Sequence, residues 1–356
     1  MESVLVAMSG GVDSAVTAML LKNSGCNTAG ATMLLCNNIL KSSANVNKSG
    51  EAADAEKTAE QLNIPFYVLD MQKDFEEKVV KKFSSDYLAG LTPNPCIECN
   101  KHIKFGSFLT AAKNMGYNKI ATGHYANVRY NEKTGRYCLY KAADESKDQS
   151  YVLYVLTQDV LSRLILPLGS LSKAEIRQLA ETAGLAVKSK KESQDICFVP
   201  NGDYYNFLVK YNNTTYPAGD YLDVNGNVLG RHAGHLKYTI GQRKGLGIAL
   251  GHHAFVISKN AQNNTVVLGT ENNLFCKTVI ADDVNYLSIE PQSKPFRASV
   301  KLRYRHKEQP ATVYPDGASI KIEFDEPQRA PAPGQSAVMY SGNMVLGGGI
   351  IKSAYN

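Results

Sequence analysis

The sequence SGGVDS at residues Ser9–Ser14 follows directly on the apolar run Val4–Met8. An apolar run that ends in a Ser/Gly-rich turn predicts a buried strand, and the pattern of Ala15–Lys22, with Gly25 just beyond it, predicts a helix. The first N–H groups of such a helix point to one place, where the helix dipole adds about half a positive charge. The two glycines let an anion approach the backbone closely. The segment therefore predicts a phosphate-binding loop.

Side chains of the same segment suit a nucleotide. Ser9 and Ser14 add hydroxyl donors, and Asp13 is a natural ligand for the magnesium ion that accompanies ATP. The P-loop pattern G-x-x-x-x-G-K-[ST] does not occur in the sequence. SGGVDS instead resembles the loop of the N-type ATP pyrophosphatases, which implies that ATP is cleaved to adenylate a substrate oxygen. An ordinary glycine-rich turn is the alternative.

Composition sets the broad class of the protein. The 356 residues are 44% hydrophobic and 20% charged, which is typical of a soluble globular protein with two or three domains. No apolar run approaches the ~20 residues that span a bilayer, and we expect a cytoplasmic protein. The net charge of +6 permits a polyanionic partner without requiring one. Seven cysteines in such a chain argue against a framework of structural disulfides.

Residues 1–200 alternate between strand and helix patterns, which predicts an α/β domain with a doubly wound parallel sheet. The resemblance of SGGVDS to the pyrophosphatase loop implies a sheet of the adenine nucleotide alpha hydrolase type. The predicted strands are Val4–Met8, Thr28–Leu35, Phe66–Leu69 and Lys119–Thr122. The predicted helices are Ser14–Lys22, Glu51–Leu62, Phe75–Tyr87 and Phe105–Met115. Ligands of such sheets bind beyond the carboxyl ends of the strands, where the phosphate loop lies.

Local signals divide the remainder of the chain. Residues 37–50 predict a mobile surface loop, and Ser172 with Glu175 forms a capping-box pattern for a helix that Gly184 ends. Residues 201–275 predict a small central β-rich domain with a hairpin turn at 224–227. Residues 276–356 consist of short alternating segments separated by Pro, Gly and Asp, which predicts a C-terminal β-barrel.

Three cysteines stand apart from the others. Cys96 and Cys99 form a C-x-x-C after two prolines, and Cys197 lies in SQDICF. A structural zinc site lacks a second pair at the usual spacing, and a thioredoxin-like dithiol would follow the first strand of its fold. The third interpretation of the C-x-x-C motif is a pair of reactive thiolates, because nearby cations, here at positions 101, 102 and 104, lower the pKa of a thiol. The single cysteines Cys26, Cys36, Cys138 and Cys276 are interpreted as small buried hydrophobes.

A closer resemblance joins these motifs. SGGVDS, the segment NPCIECNKHIKF at 94–105 and SQDICF at 193–198 together resemble the bacterial tRNA-specific 2-thiouridylases. Further matching segments are ATGHYA at 121–126, KDQSY at 147–151, GQRKGLG at 241–247 and RYR at 303–305. The resemblance covers essentially the whole chain, with the segments in the same order.

The resemblance implies a tRNA sulfurtransferase that converts the wobble uridine (position 34) to 2-thiouridine. ATP, with Mg²⁺, adenylates the uracil C2 oxygen with loss of pyrophosphate, and sulfur then displaces AMP. Cys197 carries a persulfide received from a cysteine desulfurase or sulfur relay protein. Cys99 is the second catalytic cysteine, which releases sulfide or forms a transient Cys99–Cys197 disulfide.

The resemblance also implies the binding residues. Those for ATP are Ala7, Met8, Ser9, Gly10, Gly11, Val12, Asp13, Ser14, Met33 and Gly123. Those for the target base and the tRNA are Asn94, Pro95, Cys96, His124, Lys147, Asp148, Gln149, Arg303, Tyr304 and Gln335. Taken alone, His124 could equally be a satisfied histidine near the sheet edge.

A basic run supports a tRNA surface independently of the resemblance. If Lys301–Lys307 is a strand, its period places Lys301, Arg303, Arg305 and Lys307 on one face. Four cations in a row suit a phosphate backbone. A solvated strand face is the alternative.

Cys96 departs from part of the family, in which an aspartate with an acid–base role stands at this position. That role does not transfer to Cys96. A third cysteine also opens an alternative in which Cys96, Cys99 and Cys197 hold a [4Fe–4S] cluster. The remaining alternatives are another pyrophosphatase-loop ligase, a non-catalytic RNA-binding module and a dithiol redox protein.

Overall fold

A computed structural model describes residues 2–36, 39, 48–187 and 196–356. Most of the predicted surface loop at 37–50 and the residues Ser193–Asp195 lie outside the described residues. No helix within the described ranges is long and apolar enough to cross a membrane.

The N-terminal part of the chain alternates between strands and helices. In chain order these are β1 (Ser3–Ala7), α1 (Val12–Asn23), β2 (Asn27–Leu34), α2 (Lys48–Gln61), β3 (Phe66–Asp70), α3 (Gln72–Phe75), α4 (Lys81–Leu88), α5 (Pro95–Cys99), α6 (Phe108–Asn114), β4 (Lys119–Ala121), β5 (Asn127–Asn131), β6 (Arg136–Tyr140), α7 (Gln158–Arg163), β7 (Leu164–Ile165), α8 (Lys173–Thr182) and α9 (Tyr204–Tyr211). Two π-helical segments, Glu76–Val80 and Asn100–Ser107, join α3 to α4 and α5 to α6.

The remaining chain is mostly strand. In chain order its strands are β8 (Gly219–Leu222), β9 (Val228–His232), β10 (Phe255–Asn260), β11 (Thr265–Gly269), β12 (Phe275–Tyr286), β13 (Phe296–Lys301), β14 (Gln309–Asp316), β15 (Ser319–Arg329), β16 (Ser336–Ser341) and β17 (Met344–Tyr355). Short 3₁₀ turns interrupt the chain at Ser150–Leu153, Pro200–Gly202, His235–Lys237 and Glu271–Leu274.

The N-terminal sheet is parallel, with strand order β3-β2-β1-β4-β7. Its central strand β1 sends Val4 and Val6 into one apolar cluster and Leu5 into another, so both faces of the sheet are covered. This is the pattern of a buried parallel sheet. The predicted doubly wound α/β domain is confirmed, and the four predicted strands agree within one or two residues.

The helix after the C-x-x-C begins earlier than predicted. A helix was expected over Phe105–Met115, but helical structure starts at Pro95 and continues through a π-helical segment to Asn114. Asn94 accounts for the early start, since its side chain accepts a hydrogen bond from the Cys96 N–H and proline occupies the first helical position. The predicted capping box of Ser172 and Glu175 is confirmed at α8.

The middle sheet has the order β10-β11-β8-β9, and the predicted hairpin is confirmed between β8 and β9. After it, six strands in the order β12-β15-β14-β13-β16-β17 close into a barrel through pairing of β12 with β17. The predicted β-barrel is therefore confirmed.

The hairpin β5–β6 of the N-terminal domain was not predicted, and it extends the barrel sheet. Met344 and Val345 of β17 pair with Tyr140 and Leu139 of β6. The buried Tyr151 hydroxyl donates to the Ser336 carbonyl at 2.9 Å, which adds a second link. The barrel is thereby held against the domain that carries the phosphate loop.

Candidate active site

The loop between β1 and α1 is built around a glycine that no other residue can replace. Gly10 has φ of +69°, and a Cβ there would lie 2.4 Å from the Glu51 carbonyl oxygen. The Ser14 hydroxyl donates to the Gly11 carbonyl at 3.0 Å and accepts from the Ser9 N–H at 3.2 Å. Gly11 begins the helix without a side-chain cap from the described residues. The start of α1 thus has the geometry that anion binding at a helix N-terminus requires, and phosphate binding by this loop stays a prediction.

A charged network lies beside this loop. Asp13 Oδ1 accepts hydrogen bonds from Lys173 Nζ at 2.7 Å and from the Tyr125 hydroxyl at 2.8 Å. Gly123 packs so closely on Asp13 that a Cβ would lie 3.0 Å from the Asp13 Cβ. Met33 is half-buried at the end of β2 and contacts the apolar core. The residues predicted for ATP therefore share one edge of the sheet.

Lys173 was missed by sequence analysis. It is the first residue of α8, and its side chain is only 12% exposed. The capping box predicted where this helix starts. It could not predict that the start of the helix lies beside the phosphate loop, because a cap depends only on residues close in sequence. A half-buried lysine paired with the loop aspartate adds a cation beside the anion site.

The second half of the site is the cysteine segment. Cys96 is exposed at the start of α5, whereas Cys99 is 7% exposed at its end. Burial raises the pKa of Cys99 to about 11, and the positive charge of Lys104 only partly opposes this effect. The expectation that neighbouring cations enrich the thiolate is therefore wrong for Cys99 in this state.

The other predicted cations are engaged elsewhere. Lys101 lies 3.5 Å from an Asp283 carboxylate oxygen, and the His102 ring lies 3.4 Å from Glu98. Burial is also the main cause that lowers the pKa of His102. Lys104 is thus the cation whose charge reaches Cys99.

Cys197 is positioned by the aromatic ring that follows it. Phe198 is 7% exposed and makes edge contacts with Phe75, Phe83 and Phe207 at centroid distances of 5.6, 5.2 and 5.2 Å. These contacts anchor the chain in the core and leave Cys197 itself exposed. Phe198 and the rings that it contacts lie outside the C-x-x-C segment, so that motif did not predict how Cys197 is positioned.

A further thiol contacts Cys197. A hydrogen bond with Cys36 is the main cause that holds the pKa of Cys197 well above its ordinary value. Desolvation of the thiol by the surrounding protein raises this pKa further. The charges of Cys96 and Cys99 also act on Cys197. The interpretation of Cys36 as only a small hydrophobe is therefore incomplete.

The cysteines do not fit the iron–sulfur alternative. Nowhere in the described ranges do three His, Cys, Asp or Glu side chains converge in a way that could hold a metal ion. We derive no reaction step through a cluster.

His124 is buried beside the π-helical segment Asn100–Ser107, which follows the C-x-x-C. The ring is 7% exposed, and its Nδ1 pairs with the Thr122 hydroxyl at 2.7 Å while Nε2 lies 3.4 Å from Lys104 Nζ. Burial holds the pKa of His124 well below its ordinary value, so the ring is neutral at pH 7. A contact with tRNA stays a prediction that requires the ring to become accessible.

Residues 147–149 shape the loop beside the phosphate site. Asp148 is 8% exposed and accepts hydrogen bonds from the Ala142 N–H and the Ser150 hydroxyl. The Gln149 side chain accepts from the Tyr125 N–H at 2.9 Å. Lys147 is half-buried. In this structure Asp148 and Gln149 hold the backbone, and their contacts with tRNA stay predictions.

The predicted basic strand is wrong. Strand β13 ends at Lys301, and the residues after it form turns, so the four cations do not line one strand face. Arg303 turns back and donates to the carbonyls of Ile240 and Ala330. Tyr304, Arg305 and Lys307 are exposed.

The barrel also contacts the cysteine loop. Gln335 Nε2 donates to the Thr92 carbonyl at 2.8 Å, just before Asn94 and Pro95. Partial burial of the Tyr304 side chain is the main cause that raises its pKa, and the charges of Asp148 and Cys96 contribute. The predicted base-binding loop and the predicted tRNA-binding barrel therefore meet at the cysteines.

Fold and site together define the class: a nucleotide-binding α/β domain with cysteines at its ligand edge, followed by two β domains. Family models agree with each part, matching a tRNA methyl transferase HUP domain at residues 2–201, a PRC-barrel domain of the same name at 205–270 and an aminomethyltransferase β-barrel domain at 276–351.

Curated relatives share the whole length of the chain. Proteins named tRNA-specific 2-thiouridylase MnmA from Clostridioides difficile, Acetivibrio thermocellus and Carboxydothermus hydrogenoformans are 47%, 44% and 46% identical to it. The alignments cover 99% of this chain and 99%, 99% and 98% of the three relatives. The chain belongs to the tRNA-specific 2-thiouridylase family.

The buried state of Cys99 predicts slow alkylation. Iodoacetamide reacts with the thiolate, so modification of Cys99 in the free protein should be slow at pH 7 and rise about tenfold per pH unit up to pH 10. Peptide mass spectrometry measures each cysteine separately, and the exposed Cys96 provides the internal comparison. A fast rate at Cys99 that is independent of pH between 7 and 9 would contradict the buried, protonated state.

Proposed function

We propose that this protein thiolates the wobble uridine of tRNA at C2. The observation that carries the proposal is the placement of a phosphate loop and a cluster of cysteines at one edge of the sheet. Relatives whose name states 2-thiouridylase activity, aligned over 99% of the chain, support it. ATP, tRNA and a protein that donates persulfide sulfur are the partners, and a cytoplasmic location suits them.

The first step activates the base. The uracil C2 oxygen attacks the α-phosphorus of ATP and pyrophosphate leaves, so the oxygen becomes part of a good leaving group. Helix N–H groups of the loop and Lys173 stabilise the charge on the departing pyrophosphate. Mg²⁺ bound with ATP would neutralise further charge, with Asp13 as the nearby carboxylate. The residues present suit this role, since Asp13 offers a carboxylate in the first turn of α1, directly beside the loop.

The second step transfers sulfur. The Cys197 thiolate takes the outer sulfur of the donor's persulfide, and the resulting Cys197 persulfide attacks C2 and expels AMP. The Cys99 thiolate then attacks Cys197 Sγ, which breaks the S–S bond to the base and leaves 2-thiouridine with a Cys99–Cys197 disulfide. Exposure of Cys197 suits loading by a protein donor, whereas burial of Cys99 protects it from the same donor.

The resting thiols are protonated, which has a functional consequence. Raised pKa values at Cys99 and Cys197 keep both sulfurs weakly nucleophilic until substrate arrives. Lys104 is placed to stabilise the Cys99 thiolate, since its charge already lowers that pKa. A ligase without sulfur chemistry would not need these cysteines.

The reaction itself can be tested with purified components. Incubation with ATP, Mg²⁺, a persulfide donor and unmodified tRNA should yield 2-thiouridine by nucleoside mass spectrometry. Cys99→Ser and Cys197→Ser should each reduce the yield at least about 100-fold, because serine cannot carry or resolve a persulfide. Cys26→Ser, a partly buried cysteine outside the site, is the matched control. Full yield from either active-site variant would refute the proposed roles.

Lys173 should contribute to ATP binding. Lys173 Nζ pairs with Asp13 beside the loop, and the proposal gives it a charge-assisted contact with the ATP phosphates. Lys173→Ala removes that contact, worth roughly 1.5–3 kcal/mol, so the KM for ATP in pyrophosphate release should rise about 10- to 100-fold. Lys113→Ala, which breaks the exposed pair with Asp159, is the control and should leave it unchanged. An unaltered KM in the Lys173 variant would exclude this role.

The exposed loop after β13 should contact the tRNA backbone. Arg305→Glu should weaken tRNA binding at low salt on the order of tenfold, because it reverses a charge near a phosphate. Lys294→Glu makes the same change at another exposed barrel position and should have little effect. Filter binding across a salt series measures both, and equal affinities would place the tRNA elsewhere.

A further inference from the structure

Cys36 lies where the carboxyl end of β2 meets the cysteine cluster. It follows β2 by two residues and packs, partly buried, against the apolar core that contains Cys99. Its thiol is in hydrogen-bonding contact with the thiol of Cys197, and its charge also acts on Cys99. Cys197 is thus in direct contact with Cys36 and is influenced by the charge of Cys99.

The three thiols differ in access to solvent. Cys99 is 7% exposed, Cys36 is partly exposed and Cys197 is exposed. A disulfide between Cys99 and Cys197 has one sulfur inside the core, which slows attack by an external reductant. A disulfide between Cys36 and Cys197 would have both sulfurs nearer to the surface.

We propose that Cys36 is a resolving thiol that takes the disulfide over from Cys99. This inference rests on the proposed function, which leaves a Cys99–Cys197 disulfide after each turnover. The Cys36 thiolate attacks Cys197 Sγ, the bond to Cys99 breaks, and Cys99 leaves as a thiolate that takes up the proton Cys36 gave away. The exchange neither oxidises nor reduces the protein overall. A small external dithiol then reduces the Cys36–Cys197 disulfide and restores all three thiols.

The environment of Cys99 makes the exchange hard to reverse. Burial raises its pKa to about 11, which makes Cys99 a slow leaving group, but the thiol that is released is protonated at neutral pH and attacks the new disulfide slowly. The neutral thiol also suits its apolar surroundings. Cys99 is therefore returned to its resting state while the disulfide stays near the surface.

Disulfide mapping of the full-length protein tests the inference. One equivalent of diamide, an acid quench, thiol blocking and non-reducing peptide mass spectrometry should show Cys36–Cys197 as the main disulfide. In Cys36→Ser, and in Cys36→Ala as a second variant, Cys99–Cys197 should accumulate, and dithiothreitol should reduce it about tenfold more slowly. Cys26→Ser, with another partly buried cysteine replaced, should keep the wild-type map and rate.

The result that overturns the inference is a wild-type map dominated by Cys99–Cys197 with a reduction rate that Cys36→Ser leaves unchanged. This experiment uses no ATP, tRNA or sulfur donor. Failure of the proposed function appears instead as missing 2-thiouridine in the nucleoside assay, so the two failures are distinguishable.

Discussion

The site depends on close backbone packing around the phosphate loop. There is no room for a side chain at Gly10, where the Glu51 carbonyl approaches, and little room at Gly123, which packs on Asp13. These contacts hold the start of α1 at the carboxyl edge of the sheet, and Asp13 in turn holds Lys173 and Tyr125. The position of the anion site is thus set by backbone geometry, and its charge by one lysine from a distant helix.

The cysteines obey a different constraint, which is burial. Cys99 belongs to the apolar core, and the cost of charging a thiol there outweighs the nearby Lys104. Cys197 is exposed, while the next residue, Phe198, packs into the core. The same packing therefore produces one protected and one accessible sulfur, which matches the different tasks proposed for them.

Much of this could be predicted from local patterns. The strands of the parallel sheet, the capping box of α8 and the β8–β9 hairpin each depend on residues close in sequence, so periodicity and turn chemistry predict them. The run at 301–307 failed because alternation cannot show that a chain leaves its sheet. The attachment of the β5–β6 hairpin to the barrel was missed because it depends on pairing of β6 with β17, far along the chain.

The sequence by itself determined the phosphate loop, the three-part architecture and the membership of a family, since each is written in contiguous motifs. Only the tertiary structure decided that Lys173 pairs with Asp13, that Cys36 contacts Cys197 and that Cys99 is protonated. These outcomes depend on burial and on distances between residues from separate segments. Neither quantity is encoded by spacing along the chain, because a charge or thiol acquires its chemistry from what folding places around it.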